Sequence, residues 1–90
     1  LLDKYVEAMD EKLESLRTEI ANDRGTDDQE KILEDGTKGK ISELYISTES
    51  HPNINIDEVV TYVLRTGGEV FIVNPEHNDF EFDIAAKFRY

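Results

Sequence analysis

Residues 41–73, "ISELYISTESHPNINIDEVVTYVLRTGGEVFIV", decide the fold. Ile41 to Ser47, with Leu44, Tyr45 and Ile46 at its centre, reads as a strand. His51, Pro52 and Asn53 make a polar connection. Asn55-x-x-Glu58 has the form of a helix start, and Ile56, Val59, Val60, Val63 and Leu64 then occupy i, i+3, i+4, i+7 and i+8 of one helical face. Gly67 and Gly68 follow the last turn, where a residue of positive φ commonly ends a helix. Val70, Phe71, Ile72 and Val73 are apolar on both faces, which predicts a strand lying between covering layers. Strand, helix and strand in this order form a βαβ unit, whose two strands are parallel and joined by a right-handed crossover.

On the N-terminal side, Leu2, Val6, Met9, Leu13, Leu16 and Ile20 lie along one face of an amphipathic helix over residues 1 to about 22. The same spacing is a heptad seam, but without clear pairing charges it favours packing on the domain's own sheet over a coiled coil. Asn22, Asp23, Arg24 and Gly25 end the periodicity. Thr26-x-x-Gln29 resembles a capping box, predicting a short second helix through about Asp35, and Gly36 and Gly39 bracket the turn into the first strand. On the C-terminal side, a polar loop from Asn74 to Asp79 is followed by apolar residues at every even position: Phe80, Phe82, Ile84, Ala86, Phe88 and Tyr90. This alternation predicts a final strand with its even face in the core, turning back antiparallel beside Val70 to Val73. Its odd face, Ala85, Lys87 and Arg89, is small or basic, as expected of a sheet edge or thinly covered surface where charge discourages aggregation. The fold class expected is α/β: a small layered sandwich with a mixed sheet covered by helices, and residues 1–90 form a single domain.

Ninety residues hold one modest core. Cysteine is absent, which excludes disulfides and thiolate metal sites and suits a cytoplasmic protein. No run reaches the roughly 18 apolar residues that a membrane span needs. The chain begins at Leu1, and the expectation is that it was excised from a longer parent. Twenty-one acids against ten bases give a net charge of −11. The imbalance spans both halves, fourteen acids to seven bases over residues 1–50 and seven to three over residues 51–90. Such a chain repels phosphate backbones at long range, so nucleic acid is an unfavourable partner. Solubility accounts for the charge, and steering of a basic protein partner is the functional alternative.

The residues offer little chemistry. His51 and His77 sit in polar loops, with only Glu76 and Asp79 near His77, whereas a metal site needs several converging ligands. Asp27, Asp28 and Glu30 lack the ligand spacing of a calcium loop and suit the first turn of a helix. Gly36-x-x-Gly39-Lys40 has the wrong spacing for a phosphate loop. The serines and threonines lie in no nucleophile motif. Tyr45, Phe71, Phe80, Phe82 and Phe88 fall at strand positions and read as core, since base-stacking platforms are paired with a positive groove. No catalytic residue, cofactor or metal is expected. Lys87, Arg89 and Tyr90 form the only basic cluster at a defined place; edge protection is the simpler role and a partner contact the functional one.

The tail "VLRTGGEVFIV", the loop "NPEHNDFEF" and the closing "DIAAKFRY", with "KGKISELYIS" upstream, resemble the C-terminal domain of archaeo-eukaryotic class I peptide-chain release factors and their bacterial release-factor-like relatives. The resemblance covers residues 26 to 90 by motif. It departs from the family in the charged "LEDGTKGK" and in "FDIAA", where many relatives carry a glycine-rich segment. It implies a layered α/β sandwich related to the Pelota-like and kink-turn RNA-binding fold. It also implies a non-catalytic C-terminal module that contacts a translational GTPase or ribosomal protein in translation termination or ribosome rescue. The family's catalytic Gly-Gly-Gln loop belongs to another domain, and Gly67-Gly68-Glu69 is a helix end instead. The alternatives are a kink-turn-type RNA binder or a domain with a purely structural role.

Overall fold

The computed structural model describes residues 2–49 and 55–89, with side chains from Glu7 onward. Seven elements follow one another: α1 (Leu2–Ala21), β1 (Gly25–Thr26), α2 (Gln29–Thr37), β2 (Ile41–Ser47), α3 (Ile56–Arg65), β3 (Glu69–Val73) and β4 (Ile84–Phe88). The strands form one mixed sheet in the order β1-β4-β2-β3. β2 and β3 are parallel, from Glu43 opposite Glu69 to Ser47 opposite Val73, as the βαβ reading requires. β4 runs antiparallel to both β2 and β1. The expected α/β sandwich with a mixed sheet is thus the observed fold, and it has three layers.

Helices cover both faces of the sheet. On one, Ile32 of α2 and Val59 and Val63 of α3 pack on Ile41, Leu44, Ile46, Ile84 and Ala86. On the other, Leu13 and Leu16 of α1 pack on Tyr45, Val73 and Ala85, with Met9, Ile20 and Phe71 at the margin. The stripe in α1 therefore meets the domain's own sheet; its first members, Leu2 and Val6, have side chains outside the described set. A bulge at Ser42 explains why odd-numbered Ile41 shares a face with Leu44 and Ile46. The β2–β4 register slips by one between Ile41 and Glu43, which resets the alternation.

Each helix ends in the same way. In α3, the Gly67 N–H donates to Leu64 O (3.2 Å) and the Gly68 N–H to Val63 O (2.8 Å), the paired bonds of a Schellman motif. Gly67 supplies the positive φ, 82°. α2 ends on Gly39 (φ 72°) with bonds to Gly36 O and Asp35 O, and α1 on Asp23 (φ 62°) with bonds to Ile20 O and Glu19 O. Helix starts are capped too. Asn55 Oδ1 accepts from the Glu58 N–H at 3.3 Å, as the spacing predicts. For α2 the cap lies two residues later than Thr26: Asp28 Oδ1 accepts from the Glu30 N–H (3.0 Å), while Thr26 Oγ1 accepts from the Asp28 N–H (3.1 Å). The helix runs on through Gly36 to Thr37.

Several sequence expectations are corrected. β4 does not lie beside β3; it enters the sheet between β1 and β2. A tight hairpin would have forced adjacency, but here the strand starts only at Ile84, and residues 74–83 are long enough to cross the end of β2, where the Ser47 N–H donates to Asp83 O (3.0 Å). Phe80 and Phe82 accordingly precede the strand and pack toward α1, while Ile84, Ala86 and Phe88 pack toward α2 and α3. The odd face of β4 is not an edge: Ala85 is fully buried under α1. β3 lies between the layers as expected, with Val70 on the α3 side and Phe71 and Val73 on the α1 side, but it is an edge strand, and Ile72 is left 58% exposed. The other edge is β1, whose Gly25 the sequence reading gave to the end of the first helix and whose Thr26 to the cap of the second. Gly25 allows it, since a Cβ there would stand 2.7 Å from the Ala86 carbonyl oxygen.

Candidate interaction surface

Lys87 leans across β4 toward α1. Its ammonium lies 3.3 Å from Glu43 Oε1 and donates to Ser15 Oγ at 2.8 Å. Glu43 stands opposite Lys87 in the β2–β4 ladder, so the pair is a cross-strand ion pair, with side chains only 24% and 18% exposed. The same carboxylate oxygen accepts from the Tyr45 hydroxyl at 2.8 Å. Burial of Tyr45, followed by its bond to Glu43, pushes the phenol well above the ordinary tyrosine range and keeps it a donor. Tyr45 stacks on Phe71 (centroids 5.1 Å apart), and the Lys12 ammonium sits over the Phe71 ring, 4.8 Å from its centroid.

Arg89 follows another course. Its guanidinium donates to the Thr66 carbonyl at the C-terminal cap of α3, where a cation complements the helix dipole, and its backbone N–H donates to Lys40 O (2.8 Å). Lys87 and Arg89 thus serve helices on opposite faces of the sheet, and the structure does not gather them into one patch. Tyr90 and His51 lie outside the described residues.

Arg17 is a residue the sequence reading passed over. Its Nε donates to both carboxylate oxygens of Glu81 (2.9 and 3.2 Å), and its Nη2 donates to the Asp79 carbonyl, tying the β3–β4 connection to α1. Burial works against the charge on Glu81, but a backbone hydrogen bond and the guanidinium outweigh it and hold the carboxyl below its usual range. Asn78 adds a second tie, donating to Asp10 Oδ1 at 2.8 Å. No local pattern reveals these contacts, because the partners are more than sixty residues apart.

Among the described residues no group of three or more His, Asp or Glu converges as metal ligands, and His77 lies exposed on the Asn74-capped turn. The grooves among the described residues are open, and most are lined by polar and apolar groups together. The exception is a small apolar cleft between Ala8, Met9 and Lys12 of α1 and Phe71 of β3. Beside it runs the edge of β3, which carries Ile72; among the described residues Leu64 on α3 is the other large apolar side chain left exposed, at 57%. No helix among the described residues is long and apolar enough to cross a membrane.

No family model matches the chain, and no curated protein matches it in sequence. Solved structures do match its fold. The Pelota protein of Archaeoglobus fulgidus superposes with a TM-score of 0.76 at 22% identity over 98% of this chain, and that of Thermoplasma acidophilum with 0.72 at 20% over 89%. Dom34 of S. cerevisiae, described as a translation termination-like factor involved in RNA quality control pathways and interacting with Hbs1, gives 0.69 at 19% over 98%. The chain spans 27–31% of the length of these proteins. It therefore has a Pelota-like fold, and corresponds to one portion of each.

Proposed function

We propose that this chain is a non-catalytic protein-interaction domain of a factor in translation termination or ribosome rescue, with a translational GTPase or ribosomal protein as its partner. The observation carrying this reading is the superposition of nearly the whole chain on a portion of Pelota and Dom34, which agrees with the release-factor resemblance of the tail. Two further features support it. Three bases are engaged in ties within the fold: Lys87 with Glu43, Arg17 with Glu81, and Arg89 with the end of α3. The net charge of −11 favours a protein partner over RNA, although relatives of the wider fold bind RNA.

The test is calorimetric titration of the chain with purified translational GTPases, with a non-hydrolysable GTP analogue present, beside co-sedimentation with stalled ribosomes. Saturable binding to either supports the reading. Binding to neither, together with salt-resistant binding to a kink-turn RNA, would replace it with the RNA-binding alternative. Arg89→Glu and Lys87→Glu test whether these bases take part in the contact: loss of binding with the circular dichroism spectrum unchanged assigns them to it, and unchanged binding leaves them as ties within the fold.

A further inference from the structure

The two edges of this sheet are treated very differently. β1 ends its side after two residues, whereas β3 presents five in unbroken register with β2. The Val73 carbonyl accepts from the Thr48 N–H at 2.9 Å, so it points toward β2. In a parallel ladder successive residues alternate, which turns the backbone groups of Glu69, Phe71 and Val73 inward and those of Val70 and Ile72 outward. No described strand meets them. Soluble proteins usually blunt such an edge with lysine, proline or a bulge. β3 has none of these, and its outward-turned Ile72 is 58% exposed.

Both sides of this edge are suited to a ligand strand. On the α1 side is the apolar cleft of Ala8, Met9, Lys12 and Phe71. On the α3 side are Val70 and Ile72. Acids stand at both ends of the strand: Glu69 begins it and Glu76 lies just beyond it, and both are exposed. An apolar centre between acidic ends selects a segment with the complementary pattern. A second copy of the chain fits poorly, since it brings another net charge of −11.

We infer that the free edge of β3 is a docking strand, which adds an extended segment of a partner protein, apolar at its centre and basic at its ends, to the sheet. This rests on the reading of the domain as a protein-interaction module and places the contact on a definite element, β3.

The probe is the capped peptide Lys-Lys-Val-Phe-Val-Lys-Lys, titrated into the isotope-labelled chain and followed by amide NMR. Shifts confined to residues 69–73 and to Ala8, Met9 and Lys12, weakened by added salt, are expected. Ile72→Pro removes an outward N–H without breaking the ladder to β2, and should weaken binding by about tenfold. A peptide N-methylated at alternate nitrogens should fail equally against the unaltered chain, which keeps the test valid if the proline variant unfolds. Shifts elsewhere, no binding, equal binding of the Glu-Glu-Val-Phe-Val-Glu-Glu control, or self-association through β3 in sedimentation would each overturn the inference. Because the assay contains neither GTPase nor ribosome, its failure is distinct from failure of the proposed function.

Discussion

Asp23 holds a left-handed conformation (φ 62°) where the other two helices use glycine. A side chain there carries a steric cost that glycine avoids. Asp23→Gly is therefore expected to stabilise the fold by about 0.5–1 kcal/mol, and Gly67→Ala to destabilise it by about 1 kcal/mol, both measurable by urea denaturation. The Lys87–Glu43 pair is largely withdrawn from water, so removing one partner strands the other. Lys87→Met should cost about 1–3 kcal/mol, and a cycle with Glu43→Gln should show coupling that an exposed pair such as Lys38–Glu34 lacks. Glu81 gives a pH signature. Its carboxyl titrates below the ordinary value in the folded state, so the unfolded chain takes up the proton first on acidification. Its contribution is complete above the ordinary value of 4.5 and is lost as pH falls through the lower folded value. The difference in melting temperature between the native chain and Glu81→Gln should accordingly shrink below that pH, and Arg17→Gln should reduce the pH dependence of that difference without removing the part held by the backbone hydrogen bond.

β4 is an unusual strand because its centre is alanine on both faces. Ala85 lies under α1 and Ala86 under α2 and α3, both without solvent contact. The small residues let two helical layers approach one central strand closely. Ala86→Leu should cost about 1–3 kcal/mol by overpacking, while Ile72→Lys on the exposed edge should be close to neutral in stability. Hydrogen exchange separates the same elements: amides of β2 and β4 are expected to be the slowest, and those of Val70 and Ile72, turned away from β2, much faster than that of Phe71. The helices were legible in sequence because their signals are local. Asn55 caps α3, and Val59 and Val63 mark its buried side. The cap at Asp28 and the strand β1 escaped the sequence reading for separate reasons. Several residues near Thr26 can cap a helix equally well, and a two-residue strand has no periodicity to detect.

Across the whole molecule, the last strand in sequence is the second in the sheet, bonded on both sides. Deleting residues 84–90 should thus leave β1 without a partner and both core clusters open, and the truncated chain is expected to lack cooperative unfolding in circular dichroism. The sequence by itself determined the α/β class, the parallel β2–α3–β3 unit, the amphipathic α1 and the acidic surface, because periodicity, capping and charge act over a few residues or by simple summation. It also carried the resemblance that points toward termination factors. Only the tertiary structure decided which strand became the edge and where the bases went. A ten-residue connection tolerates several strand orders, and the order adopted is the one that buries Ala85 and Ala86, leaves Ile72 at the rim and brings Lys87 against Glu43. Those outcomes depend on contacts between distant segments, and so does the surface through which this domain is proposed to act.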